Sequence, residues 1–243
     1  MQSIRFVLSL FIVQFASLAW CAEAPKITVD SVLQAYVRAL GGQAVLELIN
    51  TRQIEAKVHH VGKVTYYWAK PDKVLRLSHG EKTGFDGASG WVLSRKKKLT
   101  RLPKPEQQDL EINANPVRYA HLKELYSDLA AGLPEHVDDR HMDVLIAPNN
   151  IGSTKFYFDS VSHLLVRIED FGIQSAYYKH ITEFFDYKNV DGIQFPFRIL
   201  HTTTEPGEKT EDIRIISVEQ NVELKPEVFT KPRIGAVTLG GKR

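Results

Sequence analysis

The chain has 243 residues, of which 43% are hydrophobic and 25% are charged, and these are ordinary values for a globular protein. A chain of this length can bury a full core as one domain. The formal net charge of +2 excludes a strong field that would recruit nucleic acid, and the composition excludes collagen, a coiled coil and long disorder.

Residues 1–24 have the pattern of a signal peptide. Arg5 supplies one positive charge, and residues 6–18 form an apolar run that is too short to span a membrane. Ala22 and Ala24 then give the A-x-A pattern that signal peptidase reads. We therefore expect cleavage after Ala24 and an exported, periplasmic domain over residues 25–243.

Cys21 is the only cysteine of the chain. A lipid-modified cysteine would need a small residue before it, whereas bulky Trp20 precedes Cys21. We expect no lipid anchor, and we expect Cys21 to leave with the signal peptide. The mature protein then forms no disulfide, so its stability must come from packing.

Two segments have helical patterns. The first starts at a candidate N-cap, Asp30, and stops at Gly41, and its apolar face is formed by Leu33, Tyr36, Val37 and Leu40. A short helix over residues 43–49 follows it. The second segment covers residues 118–129, where apolar residues recur at helical spacing, and residues 105–113 form a weaker candidate.

Most of the remaining chain predicts short β-strands. Turn signals recur near residues 61–62, 71–72, 149–150, 159–162 and 171–172. The chain has neither a βαβ alternation nor a Gly-rich nucleotide loop, so we expect one large antiparallel sheet with the two helices covering its apolar face. The predicted fold class is α+β, mainly β, and residues 231–243 are expected to form a flexible tail.

The segment 184–200, "FFDYKNVDGIQFPFRIL", predicts a hairpin with one aromatic face. A three-residue loop over residues 190–192 fixes its predicted register. On one side the predicted pairs are Tyr187–Phe195, Phe185–Phe197 and Ile181–His201. On the other side they are Lys188–Gln194, Asp186–Pro196 and Phe184–Arg198. Because proline has no N–H to donate, Pro196 predicts an edge or a bulge, and hence an unclosed or strongly bent sheet.

A set of motifs along the chain resembles those of the bacterial outer-membrane lipoprotein-sorting proteins, a LolA- and LolB-like superfamily. The motifs are "ALGG", "PDKVLR", "GFDGASGW", "FYFDSVSHLLVRIE", "FFDYKNVDGIQFPFRI" and "LKPEVFTKP". They span nearly all of the mature chain. The resemblance implies an antiparallel sheet curled into an unclosed half-barrel, with helices on its concave face as a plug or lid over a cavity for acyl chains.

We therefore expect a lipid or an acylated protein as a non-covalent ligand, with no cofactor. The candidate lining residues are Leu33, Val37, Trp91, Phe156, Phe158, Phe185, Tyr187, Phe195 and Phe197. Two alternatives stay open here, namely that Trp91 is a core residue and that the 118–129 helix is a static cover. A third is that the same scaffold binds a protein partner as a sensor module.

The sequence gives little support to an enzyme. It contains no H-E-x-x-H and no G-x-S-x-G motif, and a hydrolase would need a Ser, a His and a carboxylate converging in one cleft. His59 and His60 are adjacent, so on a strand they would point to opposite faces and could not chelate one metal. We expect no catalytic residue and no metal site.

A basic run, Arg95, Lys96, Lys97 and Lys98, lies between two candidate strands. One interpretation is a hairpin tip that contacts anionic lipid headgroups or an acidic partner. The other is a solvated turn, because charge runs usually face water.

Overall fold

The computed structural model describes residues 27–148, 152–171, 177–208 and 210–232. The predicted signal peptide, residues 233–243 of the predicted tail, and all or part of the turns predicted at 149–150 and 171–172 lie outside the described residues. No helix within the described ranges is long and apolar enough to cross a membrane.

The helices are α1 (Val29–Leu40), α2 (Gln43–Glu47), α3 (Lys104–Ala114) and α4 (Leu122–Leu125), with 3₁₀ helices at Pro116–His121 and Pro226–Phe229. The strands are β1 (Thr51–Val58), β2 (Gly62–Ala69), β3 (Lys73–Ser78), β4 (Glu81–Phe85), β5 (Gly90–Leu93), β6 (Leu99–Arg101), β7 (Ala130–Ala131), β8 (Glu135–Val137), β9 (Arg140–Pro148), β10 (Ser153–Asp159), β11 (Leu165–Phe171), β12 (Lys179–Val190), β13 (Ile193–Thr203) and β14 (Glu211–Gln220).

The described strands form one antiparallel sheet in the order β6-β5-β4-β3-β2-β1-β14-β13-β12-β11-β10-β9-β7, with β8 also paired to β9. The order runs along the chain except that β14 lies between β1 and β13. The sheet ends at β6 and β7 and does not close into a barrel. The predicted fold class, a mainly β protein with a single unclosed antiparallel sheet, is confirmed.

Helix α1 begins two residues earlier than the sequence indicated. Its N-cap is Thr28 rather than Asp30, and the Thr28 and Ser31 side chains each accept a hydrogen bond from the other residue's backbone N–H. The helix ends at Gly41 as predicted, where φ is 128°. Its buried residues are Val32, Leu33, Tyr36 and Leu40.

The continuous helix predicted over residues 118–129 is wrong. Residues 116–121 form a 3₁₀ helix, only Leu122–Leu125 are α-helical, and Tyr126 is extended. Asn115, with φ −145° and ψ 72°, separates this segment from α3, which confirms the weaker helix predicted over 105–113. We call residues 104–126 the cover, because this segment packs on the sheet as three short helices followed by the extended Tyr126.

The predicted register of the 184–200 hairpin is wrong by one residue. The turn has two residues, Asp191 and Gly192, with φ of 50° and 86°, so Val190 pairs with Ile193. Positive φ at both positions is the type I′ geometry that suits the twist of paired strands. The predicted aromatic pairs therefore do not form, and Phe185 lies opposite Arg198 instead.

The side-chain alternation of β12 is interrupted at Asp186, whose φ is 55°. As a result Phe184 and Tyr187, three residues apart, both pack against the main core. The Tyr187 hydroxyl donates to the Leu165 carbonyl oxygen over 2.7 Å. Phe185 lies on the opposite side of the strand, where the Arg198 guanidinium is 5.4 Å from its ring centre.

The local edge predicted at Pro196 is confirmed. Strand β13 pairs with β14 only over Arg198–His201, so Pro196 faces no β14 partner. The two strands diverge beyond this point, and the Gln220 side chain bridges the gap by donating to the Val190 carbonyl oxygen over 2.9 Å. The sheet is therefore bent and open next to the hairpin.

Trp91 belongs to a separate core. It is 1% exposed, packs with Leu75 and Phe229, and its indole N–H donates to the Phe229 carbonyl oxygen over 3.4 Å. Val74 belongs to the main core whereas the next residue, Leu75, does not, so the Trp91 cluster lies on the other face of the sheet. The structure therefore places Trp91 in a core on this face, in line with the core interpretation, and apart from the residues that line the cleft described below.

The contact between α1 and the hairpin turn is backbone to backbone. A Cβ atom on Gly41 would lie 2.1 Å from the Gly192 carbonyl oxygen, whereas one on Gly87, which also has a positive φ of 94°, would meet nothing within 4 Å.

We expect Gly41→Ala to lower the free energy of unfolding by about 1–3 kcal/mol more than Gly87→Ala, because only the first adds a steric clash to the backbone strain. Urea denaturation of both variants measures the difference. Equal losses would contradict the close approach of α1 to the turn.

Candidate functional site

A cleft of about 560 Å³ lies at one end of the concave face. One wall comes from the cover, and the other comes from the ends of β11 to β14 together with the β1–β2 turn. Its apolar lining residues are Val61, Ile112, Tyr119, Leu125, Tyr126, Ile168 and Ile181. Its polar lining includes Asp170, His180, Thr182, His201, Thr202, Thr203 and Glu211.

The apolar end of the cleft continues into the main core. The Tyr119 ring centre lies 5.7 Å from that of Phe156 and 6.3 Å from that of Phe184, and the Tyr126 ring centre lies 5.4 Å from that of Phe156. Aromatic rings at these distances attract each other. The cover thus presents two tyrosines to an aromatic floor on the sheet.

The polar end of the cleft is organised around His201. Its Nδ1 atom is hydrogen-bonded to the Thr182 hydroxyl over 2.9 Å, and its Nε2 atom to the Asn113 side-chain oxygen over 3.0 Å. Burial lowers the pKa of His201 to about 4, so the ring is neutral at pH 7. It therefore joins α3 to the sheet through neutral hydrogen bonds.

Four carboxyl groups also line the cleft, those of Asp170, Glu205, Glu208 and Glu211. Burial raises the pKa of Asp170, which accepts a hydrogen bond from the Thr154 hydroxyl. Burial likewise raises the pKa of Glu211, although Arg76 opposes that shift. The Arg118 guanidinium, which also lines the cleft, is ion-paired with Glu111. The mouth therefore offers hydrogen-bonding groups with little free positive charge.

Arg52 is a buried cation beneath the cover. It is 1% exposed, and its guanidinium lies 5.6 Å from the Trp68 ring centre and 4.9 Å from that of Phe195. It donates to the Asn115 side-chain oxygen over 2.6 Å and to that of Gln220 over 3.1 Å. Burial lowers the pKa of Arg52 to about 9, which leaves it charged at pH 7.

Arg52 therefore fastens the cover to the sheet. Asn115 is the residue that separates α3 from the 3₁₀ helix, so the hydrogen bond fixes the point where the cover bends. Two aromatic faces and two amide oxygens stabilise the guanidinium in place of water.

Several expected lining residues are packed against helices. Phe156, Phe158 and Phe195 are at most 1% exposed, and the Phe158 ring centre lies 5.1 Å from that of Tyr36 on α1. Tyr187 is held by its hydrogen bond to Leu165. These four line the interface between sheet and helices, and they border open space only if a helix moves.

Leu33 and Val37 line a second, shallower groove of about 440 Å³ between α1 and α4. An ion pair of 2.8 Å between Lys123 and Asp30 joins the two helices there. Phe197 is half-buried at the hairpin, with the Lys188 ammonium 4.5 Å from its ring centre. The nine candidates therefore do not form one cavity.

The residues that do line the cleft were largely missed from the sequence. Ile168, Asp170 and His201 come from strands whose inward faces depended on the register of β11 to β13. The helical stripe of 118–129 did contain Tyr119 and Tyr126, and this was the one available signal.

His59, His60 and the basic run Arg95–Lys98 lie in turns. His59 and His60 lie in the β1–β2 turn with ring centres 3.8 Å apart, so the expectation of opposite faces is wrong, since it assumed a strand. Arg95–Lys98 form the exposed β5–β6 turn. Within the part of the chain that the structure describes, no three or more His, Cys, Asp or Glu side chains are grouped to hold a metal.

Asn115→Ala should lower the free energy of unfolding by about 1.5–3 kcal/mol, because it removes an acceptor from a buried cation, whereas Asn113→Ala should cost only about 0.5–1.5 kcal/mol. Both side chains are buried in the cover. Chemical denaturation of the two variants provides the comparison. A larger loss for Asn113→Ala would contradict the anchoring role of Arg52.

The lowered pKa of His201 predicts that the free energy of unfolding depends on pH. Below its ordinary value of 6.5 the unfolded chain takes up a proton that the folded ring, with a pKa of about 4, does not. Stability contributed by the neutral ring is therefore lost as the pH falls from about 6.5 to about 4. His201→Gln should show a shallower slope of unfolding free energy over this range, and an unchanged slope would refute the assignment.

Comparisons with known proteins bear on the fold. No protein-family model matches the sequence, and no curated protein matches it. A LolA superfamily protein from Nitrosomonas europaea superposes with a TM-score of 0.60 at 14% identity, over 85% of this chain and 99% of that one. A DUF1329 family protein from Desulfovibrio piger gives 0.55 at 13% identity, over 83% and 97%.

A third solved structure, a putative outer membrane lipoprotein-sorting protein domain from Vibrio parahaemolyticus, gives a TM-score of 0.52 at 15% identity, over 74% of this chain and 88% of that one. At identities this low, the three superpositions establish a shared architecture and nothing more specific. The chain therefore has a LolA-like fold, in agreement with the resemblance of its motifs.

Proposed function

We propose that this protein is a periplasmic binding or carrier protein that holds a lipid, or the acyl chains of a lipidated protein, between the sheet and the cover. The cleft beside the cover supports this proposal, because its apolar end continues into the aromatic floor of the half-barrel. Its volume of about 560 Å³ lies in the range of small-molecule pockets.

The cover is built from short helices, and this favours a cover that can move relative to the sheet. It consists of an 11-residue α3, a six-residue 3₁₀ helix and a four-residue α4. Helices this short are marginal alone, so they depend on packing against the sheet. Because the cover contributes no strand, it can shift without breaking the hydrogen-bond ladder of the sheet.

An apolar ligand can replace the packing that such a shift removes. Lifting Tyr119 and Tyr126 would uncover Phe156 and Phe184, and an acyl chain placed there buries the same aromatic surface. Each buried methylene contributes about 0.8 kcal/mol, so one or two acyl chains suffice for tight binding.

The polar mouth suits the other end of an amphipathic ligand. Thr182, Thr202 and Thr203 line it together with the neutral His201, and they can hydrogen-bond a headgroup or the peptide backbone of a lipidated protein. The LolA-like fold, and its occurrence in a putative lipoprotein-sorting domain, support this ligand class. The exposed Arg95–Lys98 turn would then face anionic headgroups at a membrane surface.

Mass spectrometry of a lipid extract of the purified protein, combined with displacement of a fluorescent fatty acid, tests the proposal. We expect an acyl compound to co-purify and to displace the probe. If no acyl compound co-purifies and the probe does not bind, the carrier function fails, and binding of a protein partner by the same scaffold becomes the better explanation.

Leu125→Glu should weaken fatty-acid binding at least about tenfold, because it puts a carboxylate, which is costly to bury, against the acyl chain. Leu125 is 40% exposed, so folding should be kept. The matched control is Leu133→Glu, which changes an 84% exposed leucine outside the cleft and should leave binding unchanged. Equal effects of both variants on fatty-acid binding would contradict the placement of the ligand in the cleft.

A further inference from the structure

Two exposed histidines face each other across the β8–β9 hairpin. Asp138 and Asp139 form its two-residue turn with φ of 48° and 61°, so Val137 pairs with Arg140 and His136 pairs directly with His141. The two Nε2 atoms lie 3.3 Å apart, and the ring centres lie 4.0 Å apart. Neither ring makes another hydrogen bond within the described residues.

This spacing matches chelation of one metal ion. Imidazole nitrogens bind Zn²⁺ at about 2.0–2.1 Å, so two of them on a tetrahedral ion lie about 3.3–3.4 Å apart, and closer at a right angle. The Nε2 separation of 3.3 Å therefore matches the spacing of two ligands on a tetrahedral ion. Because both rings are exposed, each is free to rotate and aim its Nε2 lone pair at a shared ion.

The hairpin is held in place beneath the histidines. Glu135, next to His136, accepts a hydrogen bond from Lys155 over 2.6 Å and one from Tyr157 over 3.2 Å, which ties β8 to β10. The backbone carbonyl of His141 accepts from the Ser160 N–H over 3.0 Å. Both histidines thus project from a fixed backbone, which lowers the entropy lost on binding.

We propose that His136 and His141 together form a binding site for one divalent transition-metal ion, of the class that imidazole ligands prefer (Cu²⁺, Ni²⁺, Zn²⁺). Cu²⁺ should bind most tightly, following the usual order of affinities. The described residues provide no third ligand, so water completes the coordination and binding is reversible. The carboxylates of Asp138 and Asp139 add negative charge that favours a cation.

The site also has a structural consequence. A bound ion links the three-residue strand β8 to β9, close to one end of the sheet. An ion that binds the folded hairpin more tightly than the unfolded chain stabilises the protein, and this stabilisation rises with the logarithm of the free ion concentration above the Kd.

Calorimetric titration and electron paramagnetic resonance of the tag-free protein with Cu²⁺ test the proposal. We expect one equivalent to bind with nitrogen coordination, and we expect His136→Ala and His141→Ala each to lower the affinity at least about tenfold, because each removes a ligand. Both side chains are exposed, so the variants should fold, which circular dichroism checks.

The control is the other close pair, His59 and His60, whose ring centres are 3.8 Å apart in the β1–β2 turn. The double variant His59→Ala, His60→Ala should keep the high-affinity equivalent. If this double variant abolishes Cu²⁺ binding, if His136→Ala and His141→Ala keep the parent affinity, or if no equivalent binds, the assignment is overturned.

Discussion

A single sheet that curls without closing leaves one apolar face for other elements to cover, and this constraint governs the rest of the molecule. Strand β6 ends one side of the sheet and β7 the other, so the strands cannot bury the concave face among themselves. Helix α1 covers one part of this face and is fixed through its glycine end to the β12–β13 turn. The cover, residues 104–126, closes the remainder with three short helices.

Helix α1 and the cover differ in the contacts that hold them on the sheet. α1 is a capped helix of 12 residues with four buried side chains. The cover depends instead on a few specific contacts. These include the Arg52–Asn115 and His201–Asn113 hydrogen bonds and the tilted ring contacts of Tyr119 and Tyr126 with Phe156. The cleft opens beside the less regular of the two, which is where a ligand can enter with the least loss of structure.

The buried Arg52 favours the closed position of the cover. An arginine removed from water must find replacements for it, and Asn115 on the cover is one of the two oxygen acceptors that it uses. Withdrawal of the cover therefore leaves a buried cation less well satisfied, and this favours the closed form when no ligand is bound. Apolar burial by a ligand works against that preference.

Most of the architecture follows from local signals in the sequence, whereas the site does not. Turn residues and alternating patterns predict an open antiparallel sheet, and Pro196 predicts the place where β13 separates from β14. The hairpin register failed because residues 190–192 suit either a two- or a three-residue loop, and Asp186 then shifts the alternation again. Together these details decide that Phe184, and not Phe185, faces the core.

The cleft depends on contacts between distant segments. Its walls combine residues near 60, 112–126, 168–170, 180–182, 201–205 and 210–211, and no local pattern brings these together. Trp91 was misplaced for a related reason, since an apolar strand residue can face either side of a sheet, and the 3₁₀ helix at Pro226–Phe229 covers the outer one.

Amide hydrogen exchange along the whole chain, with and without a saturating fatty acid, is the most direct test of a movable cover over an acyl-binding face. We predict that residues 104–126 open at a lower free energy than β12 and β13 in the free protein, and that the ligand raises their protection. Protection of the cover equal to that of β12 and β13, unchanged by the fatty acid, would contradict it.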